Sequence, residues 1–168
     1  MNETIRISTC VCGQARCEAT GEPILSAVCY CKDCQAGGRL IEALPAAAPV
    51  LDTDGGAAYL TYRDDRFRCV AGESLLKGYH LKDTSPTFRY VATCCNTAMY
   101  LKFRRGHWVS AYANRFETNM RPPVEMRTNI RFRQAETALP DDAPAYRRFP
   151  ARLFARLIAA RINMALGR

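Results

Sequence analysis

The sequence predicts a mainly β protein that ends in an amphipathic helix. Three features carry this reading. Short alternating runs are broken by glycine and proline, cysteine-rich loops flank the first runs, and one apolar stripe at helical spacing follows Pro150.

Residues 5–28 alternate in short runs interrupted by Gly13, Gly21 and Pro23. Ala15–Thr20 and Ile24–Val28, joined across Gly21-Glu22-Pro23, are expected to form a hairpin. Residues 43–58, rich in Ala, Pro and Gly, read as an insertion loop. Strand-like segments resume from Tyr59 to Tyr79, including Arg66–Val70 and Leu75–Tyr79. Thr87–Val91 then leads into Cys94-Cys95, and Met99–Phe103 leads out. Pro122-Pro123 argues against regular structure, so 107–133 is expected to be irregular. After Pro150, suited to a first helical position, residues 151–166 place Leu153, Phe154, Leu157, Ile158, Ile162 and Leu166 on a stripe. Arg152, Arg156 and Arg161 occupy other positions on the same helix. The chain thus divides into a β domain over 1–142 and a basic helical tail over 143–168.

Composition narrows the function classes. No apolar run approaches the roughly 18 residues of a membrane span, and Met1–Arg6 lacks a secretory pattern. A cytoplasmic location is expected, with thiols kept reduced. The nine cysteines are then read as metal ligands or catalysts, and their odd number argues against a complete set of disulfides. The net charge of +8 is concentrated in the tail, where Ala143–Arg168 holds six arginines and no acid. The apolar face of the tail helix is expected to pack on this domain or on a second copy, giving a homo-oligomer. A membrane surface, nucleic acid or other anionic partner is the alternative.

Cys29-Tyr30-Cys31-Lys32-Asp33-Cys34 is the densest cysteine segment. Tetrahedral zinc holds thiolates at about 2.3 Å, hence a little under ~4 Å from one another, so this segment must fold back in a tight loop. Cys10-Val11-Cys12-Gly13 is a second knuckle, with Gly13 available for a turn at positive φ. It needs partners, and the remaining cysteine pair is Cys94-Cys95, some eighty positions later. Adjacent residues of a strand point oppositely, so Cys94 and Cys95 share one metal only in a turn; Cys95 is the stronger candidate. Cys10, Cys12, Cys94 and Cys95 can fill four positions, whereas Cys29, Cys31 and Cys34 fill three. A three-ligand zinc keeps a place for water or substrate. Asp33, His80 or His107 is an alternative fourth ligand. Cys17 and Cys69 read as small core residues.

Ser8-Thr9-Cys10-Val11-Cys12-Gly13-Gln14-Ala15-Arg16 and Val28-Cys29-Tyr30-Cys31-Lys32-Asp33-Cys34-Gln35-Ala36-Gly37-Gly38 resemble the glutathione-dependent formaldehyde-activating enzyme family, which includes centromere protein V. The resemblance spans about residues 5–105. It implies small stacked antiparallel sheets around zinc knuckles, with two zinc ions. The first knuckle and late cysteines would bind structural zinc, and Cys29, Cys31 and Cys34 would form the active zinc site. It also implies carbon–sulfur lyase chemistry on a glutathione–aldehyde adduct, with glutathione as co-substrate. The late motif departs from the family pattern, since Ala92 stands where an earlier cysteine belongs and Asn96 replaces glycine.

Two function classes follow. The first is a zinc-dependent carbon–sulfur lyase acting on a small thiol conjugate, with Lys32 and Arg39 as candidates to attract a carboxylate. The second is a non-catalytic zinc module that contacts a protein or anionic partner through its tail. A redox sensor built on the middle cysteines is a third possibility.

Overall fold

The computed structural model describes residues 3–168. Its strands are β1 (Ile5–Thr9), β2 (Arg16–Thr20), β3 (Leu25–Cys29), β4 (Ala57–Arg63) and β5 (Phe67–Ala71), followed by β6 (Leu76–Tyr79), β7 (Thr87–Ala92), β8 (Thr97–Phe103), β9 (Trp108–Tyr112) and β10 (Met126–Thr128). Two α-helices accompany them, α1 (Lys32–Glu42) and α2 (Ala151–Ala165). A three-stranded antiparallel sheet has the order β1-β2-β5, and a seven-stranded sheet has the order β10-β3-β4-β9-β8-β7-β6. The larger sheet is antiparallel except where β10 runs parallel to β3. The protein is mainly β with a C-terminal helix, as the alternating runs and the stripe after Pro150 predict.

Side-chain alternation gives the large sheet two different faces. Leu60, Tyr62 and Ala111 point to one side and pack with Ala19 and Phe116, while Ala92 and Met99 on the same side pack with Cys10, Ala15 and Cys17. This side is covered by the small sheet. The intervening residues Tyr59, Val91, Ala98 and Tyr112 point to the other side, where they pack with Cys29 and with Ile41 of α1. Leu25 and Ala27 of β3 extend that second side toward Met126, and Leu153 of α2 packs against them. The first knuckle and the middle cysteines therefore lie on opposite faces of one sheet.

Three local expectations need correction. The turn at Gly21, with φ +80°, exists, but β2 and β3 do not form a hairpin. β2 pairs with β1 and β5, whereas β3 pairs with β4 and β10, so the turn hands the chain from one sheet to the other. Residues 107–133, expected to be irregular, contain β9 and β10. The middle cysteine segment is the entry to a helix rather than a loop alone, with Cys31 as the N-cap of α1. Residues 43–56 do form a connection, and it is pinned down. Val50 is buried, and the Glu42 carboxylate accepts from the Val50 and Leu51 amides at 2.8 and 2.9 Å.

Helix α2 docks through polar contacts as well as through Leu153. Arg156 donates to Glu125 at 2.7 Å and to the Ile24 carbonyl at 3.2 Å. The Leu157 carbonyl lies 2.7 Å from His107 Nε2. Ala160 is buried, while Phe154, Ile158, Ile162 and Leu166 are exposed. Among the described residues no helix is long and apolar enough to cross a membrane.

Candidate metal centres

The first centre is built from two turns. Cys10 closes the turn after β1, where its carbonyl accepts from Gly13 N–H at 2.9 Å and its sulfur from Ala15 N–H at 3.2 Å. Gly13 has φ +80°, a conformation that costs a residue with Cβ strain. Cys94 and Cys95 occupy the turn between β7 and β8, and Asn96 follows in left-handed conformation at φ +50°. Leaving extended geometry is what lets two adjacent side chains face one point. The sulfurs of Cys10, Cys12, Cys94 and Cys95 all lie within 4.8 Å of one another. Individual separations are 3.5 Å for Cys10–Cys12, 3.3 Å for Cys12–Cys94 and 3.8 Å for Cys94–Cys95. Tetrahedral zinc–thiolate bonds of about 2.3 Å require sulfurs roughly 3.8 Å apart, so four ligands for one ion are in place. The Thr97 hydroxyl accepts from Val11 N–H at 3.2 Å and lies 3.0 Å from the Cys95 sulfur. Burial opposes ionisation of Cys95, but the Thr97 hydroxyl and the Cys12 backbone outweigh it and bring the thiol down to about 6.

The second centre sits where β3 runs into α1. Cys29 ends the strand, Cys31 caps the helix and Cys34 lies in its first turn. Their sulfurs are within 4.8 Å of one another, and among the described residues no histidine or carboxylate joins them. Asp33, His80 and His107 lie elsewhere. Asp33 offers only its carbonyl, to Arg89, His80 stacks on Phe88 and His107 contacts Leu157. The helix N-terminus favours thiolate, and Cys34 N–H donates to the Cys31 sulfur at 3.3 Å. Hydrogen bonds from Cys31 and Cys34 hold the Cys29 thiol far below its ordinary range, while its ionisation pushes Cys31 up to about 11. One thiolate is thus shared by two thiols, and a divalent cation is what would let all three ionise together.

Residues without a motif surround this trio. The Asn129 amide donates to the Cys29 sulfur at 3.6 Å, presented by a residue at φ +58°. Burial, reinforced by Cys34, pushes the Tyr59 phenol far up, so it keeps its proton beside that sulfur. Arg89 is buried beneath α1 and donates to the Asp33 carbonyl at 2.8 Å, while its Nε and Nη1 have no partner among the described residues. It fits there because position 37 is glycine, where a Cβ would meet Arg89 Nε at 1.9 Å. Nothing in sequence spacing points to Tyr59 or Arg89. Asn129 lies in a stretch where no regular structure is expected.

Comparison with known proteins bears on the two knuckles. The family model of the glutathione-dependent formaldehyde-activating enzyme matches residues 5–45, which contain Cys10, Cys12, Cys29, Cys31 and Cys34. That segment is similar to the formaldehyde-activating enzyme family. Cys94 and Cys95 lie outside the matched span, and it is the fold that carries them to the family's first knuckle. No curated protein matches the chain. Among solved structures, a Rhodobacter sphaeroides protein is 16% identical, over 83% of this chain and 98% of that one, with a TM-score of 0.47. The formaldehyde-activating family signature and the geometry agree on one statement: two cysteine clusters can each hold a metal ion, consistent with two zinc ions.

Cys17 and Cys69 belong to neither cluster. They face each other across β2 and β5, with Cys17 fully buried and its thiol pushed far up by burial. Lys32 lies over the Phe132 ring at 5.2 Å, and Arg39 is exposed in the last turn of α1.

Proposed function

We propose that the protein is a zinc-dependent carbon–sulfur lyase that makes or breaks a thiol–aldehyde adduct, with the glutathione–formaldehyde adduct as the form implied by its family segment. The observation that carries this reading is the three-sulfur set of Cys29, Cys31 and Cys34 opposed to the four-sulfur set of Cys10, Cys12, Cys94 and Cys95. Three protein ligands leave zinc one position for a reacting group, whereas four close it.

Zinc bound by the trio would supply Lewis-acid polarisation of the adduct oxygen or hold the thiol sulfur as thiolate. The chain's own residues set the conditions for that chemistry. The first turn of α1 and the amide of Asn129 steady the sulfurs in their ionised form. The Tyr59 hydroxyl, buried and without a hydrogen-bond partner among the described residues, keeps its proton beside Cys34 and can turn it toward a group entering there. Arg89 places a buried positive charge beneath a metal set whose net charge is negative. A largely apolar cavity with Cys29 and Cys34 in its wall gives the adduct a route to the metal.

Exchange spectroscopy with 13C-formaldehyde and a panel of thiols, glutathione among them, tests the activity. Zinc-replete protein should accelerate adduct exchange, and Cys31→Ser should abolish the acceleration while leaving one zinc bound. Full zinc occupancy with no acceleration for any thiol would end the proposal.

A further inference from the structure

We infer that the thiol served by this centre is a small apolar one, alkyl or aryl, rather than a charged peptide thiol; the inference rests on the reading of the trio as an open metal site. A cavity of about 330 Å³ opens beside the cluster, with Cys29 and Cys34 in its wall. That volume suits a compact ligand. Its wall includes Phe149, Leu153, Phe154 and Leu157 from the C-terminal segment, with Leu101 and Trp108 from the sheet. Apart from the cysteine sulfurs, no described residue that lines it carries a charge. Of its polar side chains, Thr61 and Ser110 pair through hydroxyls 3.1 Å apart, while Thr128 and the protonated Tyr59, whose hydroxyl has no partner among the described residues, are uncharged.

A tripeptide thiol such as glutathione brings two carboxylates and an ammonium, each of which must keep water or find a partner. Arg89 has unpartnered nitrogens but lies beneath α1 and does not line the cavity, and the other nearby cations are committed elsewhere. Arg156 is paired with Glu125 at 2.7 Å, Arg127 with Asp142 at 2.9 Å, and Lys32 lies over Phe132. An apolar thiol needs none of these partners and buries its chain against α2. In the reaction the thiol sulfur bonds to the aldehyde carbon, the carbonyl π pair moves to oxygen and the thiol proton ends there. The reverse reaction breaks the carbon–sulfur bond and returns the proton. Helix α2 thereby becomes the element that sets specificity, a role for the tail that needs no anionic partner.

The test is a titration of full-length protein with cobalt in place of zinc, using benzyl mercaptan and glutathione as probes. The cobalt absorption bands report a sulfur reaching the metal, and Trp108, the chain's one tryptophan, reports occupation of the cavity. Benzyl mercaptan should half-saturate both signals at a concentration at least tenfold below glutathione. Phe154→Ser and Leu157→Asn should each weaken benzyl mercaptan about fivefold or more with unchanged metal content. Phe154 is half exposed, so its substitution stays informative if Leu157→Asn fails to fold. Glutathione binding as tightly as benzyl mercaptan would overturn the substrate class and leave the open site standing. Cobalt bands indifferent to both thiols would overturn the open site, and this inference with it.

Discussion

Removing one ligand from each centre should have unequal consequences for stability, and the structure sets the size of the difference. Cys12 and Cys94 are 82 residues apart, and their sulfurs approach to 3.3 Å. An ion joining them closes a long loop. Treated as a cross-link, such a closure removes about 4.5 kcal/mol of chain entropy from the unfolded state at 25 °C. Cys29, Cys31 and Cys34 fall within a single strand-to-helix junction, where the same relation gives only about 2 kcal/mol and the helix already orders the segment. Cys12→Ser should therefore cost roughly 2.5 kcal/mol more than Cys31→Ser, or about 5–10 °C in Tm for a chain of this size. Cys12 is exposed, so the substitution leaves no cavity to confuse the comparison. The assay is urea and thermal unfolding of metal-replete proteins, with zinc counted on the same samples. Equal losses in the two variants, each having lost one ion, would refute the assignment of the scaffold role to the first centre.

Three further outcomes follow from single contacts. Gly37→Ala puts a Cβ 1.9 Å from Arg89 Nε, so α1 or the guanidinium must move; a loss of about 2 kcal/mol or more is expected in urea unfolding, and an unchanged midpoint would show that Arg89 is not wedged there. Tyr59→Phe removes the unpartnered buried hydroxyl beside Cys34 and should weaken zinc at the second centre about 10–100-fold in a competition with a chromogenic chelator, leaving the first centre unchanged. The hydrogen bond from Arg156 holds Glu125 below the ordinary carboxylate range, so its contribution is present above the unfolded value of 4.5 and is lost as pH falls through the lower folded one. Trp108 emission should accordingly report loosening of α2 in acid, and an identical acid profile in Glu125→Gln would show that this ion pair does not hold the helix.

What the sequence disclosed and what it concealed divide along physical lines. Cysteine clusters are legible because metal geometry demands sulfurs within a few ångströms, and short spacings such as Cys29-x-Cys31-x-x-Cys34 satisfy that locally. The tail helix is legible because Pro150 opens it and its stripe repeats. Helix α1 is not. Its interior holds Gly37 and Gly38, poor helix formers, and its cap is a cysteine rather than the usual Ser, Thr, Asp or Asn. Both glycines are there for packing, against Arg89 and Leu51, which only the folded chain reveals. Strand pairing was concealed for a related reason. A turn at Gly21 looks the same whether the next strand returns alongside or crosses to another sheet. β10, three residues long and parallel to β3, owes its existence to a neighbour some hundred positions away.

The separation of the two centres follows from the pleat of the large sheet. Val91 and Ala92 are neighbours in β7, as Ala98 and Met99 are in β8, yet each pair divides between the faces. The turn joining these strands carries Cys94 and Cys95, so an ion at the first centre ties the end of the β7–β8 hairpin to the N-terminal knuckle. Through Val91 and Ala98 the same hairpin packs on the face that bears Cys29, Cys31 and Cys34. A metal bound on one side would thereby steady the surface on which the other cluster sits. On the proposed reading, a junction with three sulfurs and an open vertex needs a rigid floor, and an ion held by the four-sulfur cluster beyond the sheet would provide one. Closure on one face and openness on the other would then be parts of one design, in which the ligand shortage at Cys29, Cys31 and Cys34 is tolerable because an ion at Cys10, Cys12, Cys94 and Cys95 supplies the stability.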